Sequence, residues 1–204
     1  MLKVGLTGSI AAGKSFVLES FRELGCHVLD ADKTARDVVA VGTDGLAEIV
    51  DQFGREILAA DGSLDRKRMA AIVFADGSKR ELLNSIVHPR VFAAQNEWLA
   101  DIERNDPNAI AIVDAALMIE SGGYRRFDKL VVVWCESAIQ LKRLMLRDSL
   151  DLKTAEQRVA AQLSQDEKKN FADFLIDTSA GFDDAKRQVN EVYNELVSLR
   201  CSDE

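Results

Sequence analysis

One eight-residue stretch near the N-terminus constrains this chain more than any other feature. Residues 8–15 read GSIAAGKS, which matches the pattern G-x-x-x-x-G-K-[ST] in full. The stretch follows an apolar run at residues 2–7 and overlaps the start of a helical pattern at residues 14–24. In such a strand-to-helix turn, glycines let backbone N–H groups converge on phosphate oxygens, and the helix presents its positive end to them. The sequence therefore predicts a phosphate-binding loop, hereafter the phosphate loop (residues 8–15).

Each position of the phosphate loop has an expected role. The Lys14 ammonium should neutralise the β- and γ-phosphates of ATP, and the Ser15 hydroxyl should ligate Mg²⁺. The remaining contacts to the nucleotide should come mainly from backbone amides. The predicted nucleotide-binding positions are Gly8, Ala11, Ala12, Gly13, Lys14, Ser15 and Phe16.

Short apolar runs predict the architecture around this loop. Strands are expected at residues 2–7, 26–29, 109–113, 130–134 and 174–176, and a closing helix at residues 182–199. The first strand, the helix after it and the second strand form a βαβ unit, which implies a parallel sheet. The third and fourth runs are almost continuously apolar, as in strands covered on both faces. We expect an α/β fold with a five-stranded parallel sheet flanked by helices.

The chain of 204 residues fits one domain with two helical excursions. The predicted core comprises about residues 1–32, 109–135 and 173–204, a helical lobe spans about residues 33–108, and a second excursion, the lid segment, spans residues 136–172. A proline at position 89 should kink its helix or start a new one. The charged run at residues 166–169 is expected to be a solvated face, and the tryptophans and phenylalanines are expected in the core.

Composition excludes several classes of protein. A net charge of −8 and a pI near 4.9 are poorly suited to binding nucleic acid. The longest clean apolar run, residues 130–135, is far shorter than the about 20 residues of a membrane span. Three widely spaced cysteines (Cys26, Cys135 and Cys201) fit neither a disulfide framework nor a zinc site. Since no signal peptide pattern opens the chain, we expect a reducing cytoplasm.

The motifs that the chain lacks narrow the class of nucleotide-binding protein. No Asn-Lys-x-Asp string for reading guanine occurs, and residues 163–165 (LSQ) do not make the LSGGQ signature of ABC-type ATPases. A short chain with few other modules favours a small-molecule kinase, in which a lid and a substrate lobe close over the phosphate loop.

Several strings, in order along the chain, resemble the dephospho-CoA kinase family. They are GLTGSI at residues 5–10 with the following GKS, DADKTAR at residues 30–36, the His-Pro pair at residues 88–89, QLKRLMLRD at residues 140–148 and RVAAQ at residues 158–162. The resemblance covers about residues 1–195. It implies a P-loop NTPase fold that uses ATP and Mg²⁺ to phosphorylate the ribose 3′-hydroxyl of dephospho-CoA, a small-molecule substrate, with neither nucleic acid nor membrane as a partner.

Asp32 follows the second predicted strand, at the sheet edge where ligands bind in open α/β folds. A carboxylate there can accept the proton of an attacking hydroxyl, but Asp30 or Asp32 could equally cap the helix that begins at Lys33. From the residues alone, both roles stay open. The resemblance implies that Asp32 is the catalytic base and leaves Asp30 as the cap.

Arg143 and Arg147 are one helical turn apart, so both face one side of the predicted helix. They could instead be a solvated pair on the surface, with their positive charge partly balanced by Asp148. Because they follow the fourth strand, where a kinase lid carries cations, we assign both to the catalytic group that stabilises the transferring phosphoryl group.

Four further residues are assigned to ligands. Asp114 ends the third predicted strand, where a carboxylate can hold Mg²⁺ through water together with Ser15, or can cap the next turn. Thr7, His88 and Arg158 are assigned to substrate contacts. His88 precedes a proline, and a structural hydrogen bond at a helix kink is its alternative role.

The chain departs from the family pattern at several positions. The family has glycines where Ser9 and Ala11 stand, a proline where Ala116 stands, and asparagine where Thr178 follows Asp177. Two alternatives therefore stay open beside dephospho-CoA kinase. The chain could be another P-loop small-molecule kinase acting on a nucleoside-type alcohol, or an inactive nucleotide-binding regulator.

Overall fold

The computed structural model of the protein describes residues 1–200 and contains a five-stranded sheet. The strands are β1 (Leu2–Gly8), β2 (His27–Asp30), β3 (Ile110–Asp114), β4 (Lys129–Trp134) and β5 (Phe174–Asp177). Their order across the sheet is β2-β3-β1-β4-β5, and β1 pairs in parallel with both β3 and β4. The predicted α/β fold with a five-stranded parallel sheet is thereby confirmed.

Nine α-helices lie between the strands or after the last one within the described residues. They are α1 (Lys14–Glu23), α2 (Ala31–Asp37), α3 (Asp44–Phe53), α4 (Arg66–Ala75), α5 (Gly77–Asn105), α6 (Ser137–Asp148), α7 (Leu152–Ala160), α8 (Gln165–Lys169) and α9 (Phe182–Arg200). The helix α1 ends as the sequence predicts. Gly25 follows its last turn with a φ of 90°, and the Gly25 N–H bonds to the carbonyl of Arg22.

The chain forms two compact units. The first unit comprises Met1–Leu29 together with the chain from Ile102 onward, and the second unit comprises Asp30–Asp101. In the first unit, apolar residues of the sheet pack on α1 and α9. In the second unit, a separate core forms around Ile49, Ile57 and Ile86, which belong to successive helical segments. Each unit therefore buries its own apolar cluster.

Pro89 does not start a new helix, because α5 continues through it. A proline has no N–H to donate and crowds the carbonyl groups of the preceding turn. The Arg90 side chain donates to the Ile86 carbonyl in that turn at 2.8 Å, and its other terminal nitrogen donates to Glu48 at 2.6 Å. The Arg90 guanidinium thus connects the turn before the proline to α3.

Two expectations about burial are wrong. The charged run at residues 166–169 is not wholly solvated, since the Lys168 side chain is 0% exposed and pairs with Glu120. The phenylalanines are not all in the core, since Phe74 is 95% and Phe182 is 68% exposed. Phe182 instead lies against the Phe16 ring, with 4.7 Å between the ring centroids.

The cysteines that the structure describes are free thiols. Cys26 and Cys135 are both buried, and Cys201 lies outside the described residues. Burial raises the pKa of the Cys26 thiol to about 12, so this group stays protonated. Among residues 1–200, no helix combines the length and the apolar composition that crossing a bilayer requires.

Candidate active site

The phosphate loop turns sharply between β1 and α1. A Cβ on Gly8 would lie 2.4 Å from the Val133 carbonyl oxygen, so only glycine fits where the loop leaves the sheet. Ala11 and Gly13 both have left-handed backbones, with φ of 59° and 92°. Gly13 is the residue before the first turn of α1, and the orphan N–H groups of that turn are suited to an anion. The loop therefore has the geometry that phosphate binding requires, at the predicted place.

Lys14 forms an ion pair with Asp114. Because β1 and β3 are neighbours in the sheet, the loop after β1 comes next to the last residue of β3. Both side chains are mostly shielded from water, with exposed fractions of 17% for Lys14 and 10% for Asp114. The structure thus brings together two of the predicted site residues, one cationic and one anionic.

The donor set near the loop fits a magnesium ion that arrives with a nucleotide. Ser15 is exposed in the first turn of α1, and Asp114 contributes a carboxylate beside the loop. Within residues 1–200, no group of three or more His, Cys, Asp or Glu residues could hold a metal by itself. Mg²⁺ usually takes only one or two protein carboxylates and completes its shell with phosphates and water. One hydroxyl and one carboxylate therefore suffice.

Arg143 is held beside the phosphate loop by the residue that follows β5. Its guanidinium donates to the Thr178 hydroxyl oxygen and to the Thr178 carbonyl, both at 2.8 Å. The Thr178 hydroxyl in turn donates to the Ala12 carbonyl at 2.8 Å, and Thr178 closely approaches Gly13. In this structure Arg143 therefore contacts the phosphate loop indirectly, through Thr178.

Arg147 and Arg158 both bind the carboxylate of Asp148. Asp148 accepts from Arg147 at 2.8 Å and 3.2 Å and from Arg158 at 2.8 Å. The hydrogen bond from Arg147, followed by the charges of both arginines, holds the pKa of the Asp148 carboxyl below its usual value. Both arginines are about half exposed. The pairing with Asp148 that the sequence suggests for Arg147 is present, and it includes Arg158 as well.

An ion pair with a fully buried lysine links the lid segment to the loop after β3, and no pattern in the sequence indicates it. Lys168 binds Glu120 at 2.9 Å and the Ala116 carbonyl at 3.0 Å, while Glu120 also accepts from the Leu163 N–H at 3.2 Å. Thr7 lies nearby and is fully buried, and its hydroxyl donates to the Ala115 carbonyl. The observed contacts of Thr7 are therefore structural, and its contact with substrate stays a prediction.

Three glutamines of the lid segment form a second connection that the residue types alone did not single out. Gln162 and Gln140 bond to the backbone of Ile10 in the phosphate loop, and Gln165 bonds to Gln140. Amide side chains occur throughout the surfaces of proteins, so no pattern marks these as special. The only indication in the sequence is that Gln140 and Gln162 lie in the strings at residues 140–148 and 158–162, which resemble the dephospho-CoA kinase family.

The predicted residues of the second unit are described separately. Asp30 caps α2, since its side chain accepts from the Lys33 N–H at 3.0 Å, and its predicted role as the cap is confirmed. Asp32 is exposed in the first turn of the same helix. His88 is exposed on α5, with its ring centroid 6.1 Å from that of Phe92. Asp32 is thus accessible to a ligand and is not the cap of its helix.

Comparisons with known proteins agree with this arrangement. The family model described as dephospho-CoA kinase matches residues 2–184. The dephospho-CoA kinase of Cutibacterium acnes is 40% identical over 197 residues, which cover 97% of this chain and 85% of the relative. The relative from Mycolicibacterium paratuberculosis is longer, and the chain spans 48% of its length at 39% identity.

A solved structure gives the same result. The structure of dephospho-CoA kinase from Campylobacter jejuni matches with a TM-score of 0.73 and 29% identity, covering 96% of this chain and 97% of that one. Sequence and fold therefore agree along nearly the whole chain, and the protein belongs to the dephospho-CoA kinase family.

Proposed function

We propose that this protein transfers the γ-phosphoryl group of MgATP to the ribose 3′-hydroxyl of dephospho-CoA. The observation that carries the proposal is the phosphate loop with its Lys14–Asp114 pair, in a chain that matches the family over residues 2–184. The loop provides the anion site that every phosphoryl donor of this kind needs, and the family supplies the acceptor.

In the proposed mechanism, the phosphate loop and α1 hold the triphosphate. Lys14 exchanges its contact with Asp114 for the β- and γ-phosphates, and amides from Ala11 to Phe16 contact the other oxygens. Mg²⁺, when bound with the nucleotide, neutralises charge on the phosphate oxygens. Ser15 and Asp114 are the residues that would hold it.

The acceptor hydroxyl needs a base, and Asp32 is assigned this role. An exposed carboxylate in the first turn of α2 can receive the proton as the oxygen attacks phosphorus. We assign to Arg147 and Arg143, both on α6, the role of stabilising the negative charge that develops on the transferred phosphoryl group. We assign contacts with the substrate to Arg158, His88 and Thr7.

The proposed organisation is a single catalytic domain. A core of about residues 1–32, 109–135 and 173–204 carries a substrate lobe of about residues 33–108 and the lid segment. The proposed compartment is a reducing cytoplasm, which is supported by the two free, buried cysteines among the described residues.

The decisive experiment is an assay of ADP release with different acceptors. Purified protein, MgATP and dephospho-CoA should give ADP and an equal amount of CoA, identified by mass, while the reaction without acceptor should give almost none. Adenosine and other nucleosides serve as matched acceptors that lack the pantetheine arm. Faster turnover with a nucleoside would favour the nucleoside-type kinase, and ATP binding without turnover on any acceptor would favour a regulator.

A further inference from the structure

Ile10, near the middle of the phosphate loop, is held by the lid segment at both of its backbone polar groups. The Ile10 N–H donates to the Gln162 side-chain oxygen at 2.8 Å. The Gln140 side-chain NH₂ donates to the Ile10 carbonyl at 2.8 Å. Gln140 lies on α6 and Gln162 just beyond α7, so two separate parts of the lid segment converge on one loop residue.

The backbone of Cys135 fixes which way these amides point. The Cys135 N–H donates to the Gln165 oxygen at 3.0 Å, and the Gln165 NH₂ donates to the Cys135 carbonyl at 2.9 Å. The Gln165 NH₂ also donates to the Gln140 oxygen at 3.0 Å, which leaves the Gln140 NH₂ to face Ile10. Gln140 is only 1% exposed, so solvent does not compete for these contacts.

The residue after Ile10 explains why such support matters. Ala11 has a φ of 59°, a left-handed conformation in which the Cβ of an L-residue crowds the following carbonyl. Glycine adopts this conformation without the crowding. An alanine here must be held in place by its surroundings, and the two glutamines bond the neighbouring peptide groups.

We propose that Gln140 and Gln162 are positioning residues that hold Ala11 in its left-handed conformation and thereby keep the phosphate loop shaped for nucleotide. Neither glutamine needs to touch the nucleotide, since both act through Ile10. The inference rests on the proposed function only in taking a nucleotide as the ligand of the loop. It makes the affinity for nucleotide depend on contacts from the lid segment.

The test measures ADP binding by calorimetry, without dephospho-CoA and without turnover. Gln162→Ala removes the acceptor of the Ile10 N–H at a half-buried position, where the fold should survive. We expect its Kd for ADP to rise about tenfold, as the loss of one well-placed hydrogen bond predicts. Gln157→Ala, on the exposed face of α7, is the matched control and should bind ADP like the parent protein. An unchanged Kd in Gln162→Ala would overturn the proposal.

Rescue by glycine separates positioning from general loss of structure. Ala11→Gly alone keeps the backbone amide at this position, and its Kd for ADP is the reference for the double variant. In the Gln162→Ala background, Ala11→Gly should restore most of the lost affinity. Equal effects of Ala11→Gly in both backgrounds would refute the coupling. Gln140→Leu should show the same rescue, but because it is buried, only variants with a cooperative thermal transition are scored.

The same variants distinguish this inference from the proposed function. If the parent protein binds ADP but does not phosphorylate dephospho-CoA, the proposed function fails while the binding series still decides the role of the glutamines. If turnover occurs, Gln162→Ala should raise the KM for ATP more than it lowers kcat. A fall in kcat with an unchanged KM would contradict positioning of the nucleotide loop.

Discussion

Asp32 and Asp30 are two carboxylates two positions apart with different surroundings. Asp30 accepts the Lys33 N–H as the cap of α2, whereas Asp32 is exposed in the first turn of that helix. Asparagine caps a helix about as well as aspartate but does not accept a proton at neutral pH. The same substitution at the two positions therefore separates a structural role from a catalytic one.

We predict that Asp32→Asn lowers kcat by about 100-fold or more, as expected for the loss of a general base. The KM for dephospho-CoA should change less, because the amide still accepts a hydrogen bond from the hydroxyl. Steady-state kinetics of both variants test this prediction. The control Asp30→Asn should have a kcat close to that of the parent protein. An Asp32→Asn protein with normal kcat would remove the assignment of the base.

Lys14 has a structural partner as well as a predicted ligand. A lysine of a phosphate loop would be expected to be solvated, yet this one is largely shielded and pairs with Asp114. Lys14→Met should lower kcat/KM by at least about 100-fold, the order seen for a lost donor to a transition state. It should also lower the thermal midpoint, because the Asp114 carboxylate loses its counter-charge.

A second substitution tests the structural part of that prediction. Asp114→Asn in the Lys14→Met background removes the charge that Lys14 balances in the parent protein, so it should recover part of the thermal midpoint without recovering activity. Differential scanning calorimetry and the ADP-release assay measure the two effects separately. If Lys14→Met leaves the midpoint unchanged, the ion pair contributes nothing to stability.

At the scale of elements, the strands are the best-predicted part of the fold. Every predicted strand boundary lies within about one residue of the observed one, for example 109–113 against Ile110–Asp114. A short apolar run is typical of a strand in a sheet that is covered on both faces. The polar residues that follow each run therefore mark the end of the strand. Of the two outcomes predicted for Pro89, a new helix does not occur, since α5 continues through the proline, and Arg90 of this helix contacts Glu48 of α3.

The candidate site was less predictable than the sheet, because its partners are distant in sequence. The phosphate loop is visible because one short segment carries all of its chemistry. Lys168 was expected on the surface because it lies among charged neighbours, and its partner Glu120 lies on another element. Likewise, nothing in the sequence around Gln140 shows that its amide is buried against Ile10.

The buried pair gives a prediction for the connection between α8 and the loop after β3. Lys168→Ala leaves the Glu120 carboxylate, whose side chain is 24% exposed, without its cation and removes a fully buried side chain, which costs about 2–5 kcal/mol in proteins. For a chain of this size, we expect the thermal midpoint to fall by about 4–20 °C. Lys186→Ala removes an exposed pair with Glu23 and is the control, with a change below about 1 kcal/mol.

A double variant checks how much of the loss comes from the unpaired Glu120 charge. Glu120→Gln keeps an acceptor for the Leu163 N–H but carries no charge. Combined with Lys168→Met, which keeps the length of the side chain, it should unfold closer to the parent than Lys168→Met alone does. A double variant no more stable than Lys168→Met alone would point to packing instead of charge.

At the scale of the whole molecule, each compact unit carries one of the two tryptophans. Trp134 lies in the first unit, with the Lys169 ammonium 3.4 Å from its ring centroid, and Trp98 lies in the second. Replacing one tryptophan with phenylalanine therefore leaves a fluorescence signal that reports on a single unit. This makes it possible to locate the effect of a ligand on unfolding.

We predict that ADP stabilises the unit that contains the phosphate loop. At a concentration 100 times its Kd, a ligand adds about 2.7 kcal/mol, or about 5–11 °C for a chain of this size. In the Trp98→Phe protein, the thermal transition followed through Trp134 should shift upward by this amount. Lys14→Met should remove most of the shift, and a parent protein with no shift at saturating ADP would contradict nucleotide binding at the loop.

The pairing of β1 has a consequence for how the chain is made. Of the five strands, β1 is synthesised first, but its neighbours in the sheet arrive late, since Leu2 pairs with Ile110 and Gly8 with Val133. At about 5–20 residues per second, a ribosome needs about 6–25 s to deliver the last of them. Throughout that interval, the apolar side chains that end up most deeply buried lack their native cover. The segment at residues 2–8 therefore depends for its native partners on strands that are made much later.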